Sequence, residues 1–501
     1  MGKPYVYDAR ADFRGGRNTT VNPDLLNATE LVDCTNARLS NTQIGAVMKR
    51  TGSQRFHVTA LPTPIIGLVQ WDAPSGKQTV AIAGGNLYYK STGFGGEFTQ
   101  VVPGTLFQTT GYADLIPFRG ASSGAPLLLF ISDGVNLYSW DGTATITLLT
   151  GTTNAPAAKL LAQYHTRLFA VDKNFVKNLF WSRVGDGTYW TTGLPSDGGS
   201  AMVDVLTGNN IIALDVVGTS LLTFTNYSIA RFRGYSSNDI QIAQNTEGVS
   251  ADVGIVGQAA HARAEQVIAF ISERGPYMAV ETGTQAYGVD VENDFSSANQ
   301  SVASGYAVGH HKGRREIWNA IAGSGDGGLN KTVLIYNTRQ QNWCGPFTYP
   351  FGVRLLSGYK DASGLEWIMT AGSDGFVRHM DVGGLDDVLA GGTGGSAYTM
   401  NIELSPMFFG TGPGVAKGLK RFNLQANLPA ASAVHIKYAF DGNSLTDAGL
   451  IIGLSSTTTL DYRVDAVDVG HRLRVALNDA SSSIPIINGL VTEAYNMGRP
   501  E

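Results

Sequence analysis

From about residue 60 to about residue 385 the chain repeats one short phrase: an apolar run, a polar glycine turn, then a short aromatic strand. Val80-Ala81-Ile82-Ala83 leads into Gly85-Asn86-Leu87-Tyr88-Tyr89, and Leu127–Ile131 leads into Asp133-Gly134-Val135-Asn136-Leu137-Tyr138. The phrase returns at Ala269-Phe270-Ile271 with Gly275-Pro276-Tyr277-Met278, and at Lys331–Tyr336 with Asn342-Trp343. A further copy is Trp367-Ile368-Met369 with Asp374-Gly375-Phe376-Val377. Helical periodicity is missing throughout, so the stretch reads as strands and turns. Tyr88 and Tyr138 lie 50 positions apart, and a four-stranded propeller blade uses roughly 40–50 residues. About 325 residues at roughly 45 each predict seven blades, with six or eight also fitting. One blade cannot bury both its faces, so neighbours must stack and the ring must close. A stacked pair of β-sandwiches is the competing architecture.

Composition supports an all-β reading. Glycine supplies 62 of 501 residues and charged residues only 15%, against averages near 7% and 25%. Tyr, Phe, Val, Ile and Thr fill the runs between glycines, which is the signature of strands with tight turns rather than of a disordered chain.

Residues 1–58 do not share the rhythm and read as an extended amino-terminal arm. Its turn formers are dense: Asp12-Phe13-Arg14-Gly15-Gly16, Asn22-Pro23-Asp24-Leu25-Leu26, Asp33, Asn36, Gly45 and Lys49-Arg50-Thr51-Gly52. Residues 1–60 hold eight Lys or Arg against five acids, a net +3 within a chain of net charge −5. The remainder is therefore mildly acidic, and no global nucleic-acid footprint is present. The propeller is expected over 59–385. A glycine-rich linker follows at 386–400 (Gly391-Gly392-Thr393-Gly394-Gly395-Ser396), and an antiparallel β domain, a sandwich, at 401–501. In that last domain Lys420–Leu428, Ala433–Phe440, Thr458–Val464 and Arg472–Leu477 alternate apolar and polar residues, with a turn at Asp441-Gly442-Asn443.

Catalytic chemistry finds little to stand on. Cys-x-x-Cys and His-Glu-x-x-His are missing, and no catalytic, cofactor-binding or metal-binding residue is assigned. His310 and His311 are adjacent, so a strand would point them to opposite faces. They are read as part of a polar turn, His310–Glu316, that enters a strand at Ile317–Ile321. Gly323-Ser324-Gly325-Asp326-Gly327-Gly328 is a hairpin loop, because no Lys-Ser/Thr follows it. Trp181–Trp190 half resembles the Asp-box turn of sialidase propellers, but Ser182 stands four residues before Asp186 rather than two. A glycosidase needs two carboxylates facing each other. Asp204, Asp215, Asp239, Glu247 and Asp252 cannot be paired from sequence. Cys34 and Cys344 lie far apart, and a disulfide would need their Cα atoms within about 7 Å. Two free thiols in a reducing cytoplasm are expected. Neither a signal peptide nor a membrane span is expected.

Three tracts in order resemble bacteriophage tail proteins. The arm, with its Gly-Gly turn, Pro23-Asp24-Leu25-Leu26, Asp33–Asn36 and Lys49–Gly52, resembles their amino-terminal signature. Tyr164–Phe169 with Leu179–Ser182, Gly185-Asp186-Gly187 and Trp190 resembles their mid-propeller hallmark. Ile487-Asn488-Gly489-Leu490 with Gly498-Arg499 resembles their last strand. The nearest group is the tail-nozzle (tail tubular or stabilisation) proteins of short-tailed phages.

That resemblance implies a virion protein made in the bacterial cytoplasm. It implies a homo-hexameric ring below the portal and adaptor and above fibre or needle proteins, with double-stranded genome DNA passing through. Phe13, Arg14, Gly15, Gly16, Arg17, Asp33, Asn36 and Arg50 would dock on the adaptor or portal. Lys312, Arg314 and Arg315 would touch DNA or a neighbouring subunit. A glycan-binding or hydrolytic propeller and a non-virion interaction scaffold are the alternatives.

Overall fold

The computed structural model describes residues 5–497 apart from residues 92, 94, 102–105, 121–126, 144, 204–209, 235–240, 244–248, 410–414 and 454–458. Asp204, Asp239, Glu247, Gly498 and Arg499 thus lie outside the described residues. The remainder is all β apart from four 3-10 turns and one short helix, Glu292–Ser297.

Seven four-stranded antiparallel sheets follow one another among the described residues, and they are the blades of a propeller. The innermost strands begin at Ile65, Asp114, Ala158, Ala213, His261, Ala307 and Val353, and each touches the next around a closed ring. The repeating phrase explains why. Four of the five apolar runs are second strands of blades, and Lys331–Tyr336 falls in the third strand of the sixth. Such inner strands are covered on both faces by neighbouring blades, so Val80, Ala81, Ile82 and Ala83 are all buried. The glycine turns reverse the chain: at Asp133-Gly134 the Asp133 carboxylate accepts the backbone N–H groups of Val135 (2.9 Å) and Asn136 (2.7 Å), while Gly134 takes φ +89°.

The ring closes with a strand from the other end of the sequence. In the seventh blade Val353–Lys360, Glu366–Gly372 and Val377–Met380 are joined by Ser53–Arg55, with Arg378 opposite Arg55 and Met380 opposite Ser53. The propeller is therefore completed by residues that the sequence assigned to the arm.

The rest of the arm is built into the carboxy-terminal domain rather than extended from it. Two six-stranded sheets pack as a sandwich, here called the platform. One runs Leu460–Gly470, Lys417–Asn427, Ile486–Asn496, Val47–Lys49, Ala37–Leu39, with Tyr5–Arg10 also pairing to Ile486–Asn496. The other runs Gly16–Arg17, Glu30–Asp33, Met400–Leu404, Leu473–Asp479, Ala433–Phe440, Thr446–Ile452. Phe422 and Leu424 of the first face Ile402, Ile436 and Leu477 of the second in a core that continues into Trp318, Ile335 and Phe347 of the sixth blade.

The segment expected as a loose linker is also fixed. Asp386 bridges to Ser396, Val388 bridges to Gln54, and Asp386 is buried. His310 and His311 belong to the strand Ala307–His311, and the turn is confined to Lys312–Arg315. Arg315 takes φ +57° there.

Candidate functional sites at the propeller–platform joint and in the central channel

The platform meets the outer strand of the sixth blade, Asn342–Thr348. Cys34 bridges to Gly345, and Asn36 donates its backbone N–H to Pro346 O at 2.9 Å. Further along the arm, Arg17 Nη1 lies 2.8 Å from Asp294 Oδ1, and Thr19 N–H donates to Asp290 O at 2.7 Å. These contacts lace the arm to the segment between blades five and six.

Buried charge concentrates at this joint. Arg38 Nη1 lies 2.7 Å from Asp381 Oδ1 and its Nη2 3.7 Å from Glu316 Oε2, while its guanidinium covers the Phe347 ring. Asp381 is the hub. Beyond Arg38 it accepts from Thr51 Oγ1 and Arg314 Nε, and its Oδ2 lies 3.1 Å from His311 Nε2. Burial alone would raise this carboxyl, but Arg38, His311 and Arg314 outweigh it and hold it far below the ordinary carboxylate range. Arg50 grips Asp386 through both nitrogens (2.8 and 2.5 Å), donates from Nε to Asn36 Oδ1 at 2.8 Å, and stacks 3.7 Å from the centre of Tyr398. Lys49 Nζ lies 2.8 Å from Asp479 Oδ1, both fully buried. Arg55 and Arg378 share Asp387 Oδ1 at 2.8 and 2.7 Å, which fastens the closing strand to its blade.

The residues expected to dock on a neighbour are thereby mostly turned inward. Phe13 is in the core. Asn36 and Arg50 are buried and satisfied within the chain. Gly15 and Gly16 sit where side chains cannot fit: a Cβ on Gly15 would fall 2.7 Å from Thr29 O, and one on Gly16 2.5 Å from Trp343 O. Arg17 and Asp33 are spent on Asp294 and on Asn401 and Thr35. Within the chain Phe13, Gly15, Gly16, Arg17, Asp33, Asn36 and Arg50 thus serve the propeller–platform joint. Arg14 alone of this set has an exposed side chain (58%), paired with Asp12 at 2.7 Å. Of the basic turn, Arg314 faces Asp381, whereas Lys312 and Arg315 remain exposed.

The propeller axis holds a second candidate site. The inner strands enclose a channel cavity of about 710 Å³. Asp114 enters it from the second blade, accepting the Leu161 N–H and Gln258 Nε2, each at 2.9 Å. Asp215 enters from the fourth blade, with Oδ2 3.9 Å from His261 Nε2. His261 Nδ1 lies 2.9 Å from Gln258 O, a contact in which the ring nitrogen must carry the proton, so Nε2 faces Asp215. Burial pushes both carboxyls above the ordinary range, against the pull of their hydrogen bonds and of His261. Sequence reasoning noted Asp215 without a partner and passed over Asp114. Only the ring geometry brings them to one cavity. Among the described residues, no group of three or more His, Cys, Asp or Glu is placed to hold a metal ion, and no helix is long and apolar enough to cross a membrane.

No protein-family model and no curated protein sequence matches the chain. Among solved structures it is similar to streptogramin B lyase (TM-score 0.42, 11% identity, covering 66% of this chain and 97% of that one). It is likewise similar to the N-terminal domain of Nup159 (0.38, 11%, 66% and 94%). An exo-β-1,3-galactanase from Phanerochaete chrysosporium covers more of the chain at a lower score (0.29, 8%, 89% and 100%). These likenesses are of architecture alone, and what the chain is rests on its own residues: an all-β protein with propeller blades and a second β domain.

Proposed function

We propose that the protein is a structural subunit of a phage tail. In this reading it forms the ring, or nozzle, below the portal and adaptor that conducts and seals the genome DNA. The ordered resemblance of the arm, the Tyr164–Trp190 tract and the last strand motivates it. The observation that carries it is the platform sheet with two unlike free edges. Leu460–Gly470 and Tyr5–Arg10 each have a strand neighbour on one side only among the described residues. Each also exposes large apolar side chains: Val467 (83%) and Val469 on one, Tyr5 and Tyr7 (61%) on the other. A head-to-tail contact between unlike surfaces generates a ring when its rotation closes. A bulge opposite Lys420, between Asp465 and Asp468, and the edge charges Asp461, Arg463 and Asp465 discourage indiscriminate strand pairing. The exposed Lys312 and Arg315 supply the cationic surface for a subunit or phosphate contact.

The reading is tested on assembled particles. An antibody to this chain labels the tail vertex of purified virions, and its absence from virions contradicts the proposal.

A second reading is favoured by the channel. Two carboxyls raised by burial beside an imidazole are a setting for acid–base chemistry on a small molecule or glycan. It predicts turnover of a polysaccharide that is lost in D215N and in D114N. An absence of turnover by the wild-type chain removes it.

A further inference from the structure

The two cysteines that sequence leaves unconnected are neighbours at the joint. Cys34 leads from the arm strand Glu30–Asp33 into the platform, and Cys344 lies in the outer strand of the sixth blade. Cys34 bridges to Gly345, the residue directly after Cys344. Both side chains are buried in one cluster with Phe347 and Trp318. Leu39 N–H donates to Cys344 Sγ at 3.3 Å, and Cys34 Sγ donates to Ala37 O at 3.4 Å. Cys34 and burial together raise the Cys344 thiol well above the usual range.

We propose that Cys34 and Cys344 are a covalent modification site, closing into a reversible disulfide that staples the platform to the sixth blade. The oxidant is a low-molecular-weight disulfide. One cysteine thiolate attacks it, forms a mixed disulfide and expels one small thiolate. The second cysteine thiolate then displaces the other small thiolate and forms the Cys34–Cys344 bond. The protein gives up two electrons and two protons, and the reagent leaves as two thiols. Burial keeps both thiols out of reach in the closed joint and Cys344 protonated, so exchange proceeds while the joint is open, during folding or local opening. Once closed, the bond is shielded from reductant by the same burial. Two distant pieces of sequence, the arm strand built into the platform and the sixth blade, are then covalently joined.

The test refolds the full chain from denaturant either in a glutathione redox buffer or in excess reductant, then blocks remaining thiols after unfolding. The oxidised sample is expected to yield a linked Cys34–Cys344 peptide, about 2 Da lighter than the sum of its reduced halves. Its thermal midpoint is expected to lie several degrees higher, returning to the reduced value on adding reductant. C344S shows no such difference between buffers. Should that variant fail to fold, the wild-type pair of samples decides the matter alone. Chain that refolds in the oxidising buffer with both thiols blockable overturns the proposal. Glutathione adducts or intermolecular bonds in place of the linked peptide do so equally, as does a linked form whose midpoint is not raised.

Discussion

Arg38 Nη1 and Asp381 Oδ1 form a 2.7 Å ion pair with both side chains essentially closed to water. Arg38 lies in a platform strand, and Asp381 directly follows the last carboxy-terminal strand of the seventh blade. His311 and Arg314 of the sixth blade converge on the same carboxylate. One side chain thus ties three parts of the molecule.

Removing one partner of a buried pair strands the other, at a typical cost of about 3–5 kcal/mol. R38A and D381N are each expected to destabilise the chain by that order, measured as a lowered urea midpoint. The double variant R38A/D381N is expected to cost less than the sum of the singles, because the two share one interaction.

The inward turn of the arm separates two arginines that sequence treats alike. R50A removes a bidentate pair to Asp386, a bond to Asn36 and a stack on Tyr398, and is expected to cost about 3 kcal/mol or more. R14A removes an exposed pair and is expected to leave the urea midpoint essentially unchanged. Equal losses in the two variants would contradict the placement of the arm.

For the same reason deletion of the arm does not report on docking. Residues 1–58 carry the closing strand of the seventh blade and strands of both platform sheets. A chain lacking them is expected to be insoluble or to bind hydrophobic dyes, not to be a folded propeller that has lost one partner.

Stability falls on mild acidification. His379 is buried in the seventh blade, with Tyr359 Oη 3.1 Å from its Nδ1, and burial lowers its pKa from 6.5 to about 4. The unfolded chain takes up this proton first as pH drops. The stabilising contribution is therefore complete above pH 6.5 and is lost as pH falls toward 4, by roughly 3 kcal/mol at about 1.4 kcal/mol per unit. Thermal midpoints across that window are expected to fall in the wild type and to fall less in H379Q. Below the ordinary Asp value of 3.8 the depressed Asp381 adds a further loss in the same direction.

The blades were legible in the sequence because their cause is local. Apolar runs covered on both faces and glycine turns with positive φ leave a signature in every unit. The closing strand was not, since Ser53-Gln54-Arg55 has no apolar alternation and is a strand only because Val377–Met380 offers it an edge. Arg38, Lys49 and Arg50 read as surface charge because Asp381, Asp479 and Asp386, which neutralise them, stand hundreds of positions away. Asp114 and Asp215, like Cys34 and Cys344, become neighbours only through ring closure and the docking of the platform.

The ring is the central claim, and electron micrographs of the purified full-length chain test it most directly. The account predicts closed rings, six-fold by the resemblance to tail nozzles, that fall apart to monomers in V467D, where a carboxylate replaces the most exposed apolar side chain of the platform edge. Wild-type chain that remains dispersed as monomers at every concentration imaged, indistinguishable from V467D, would contradict it.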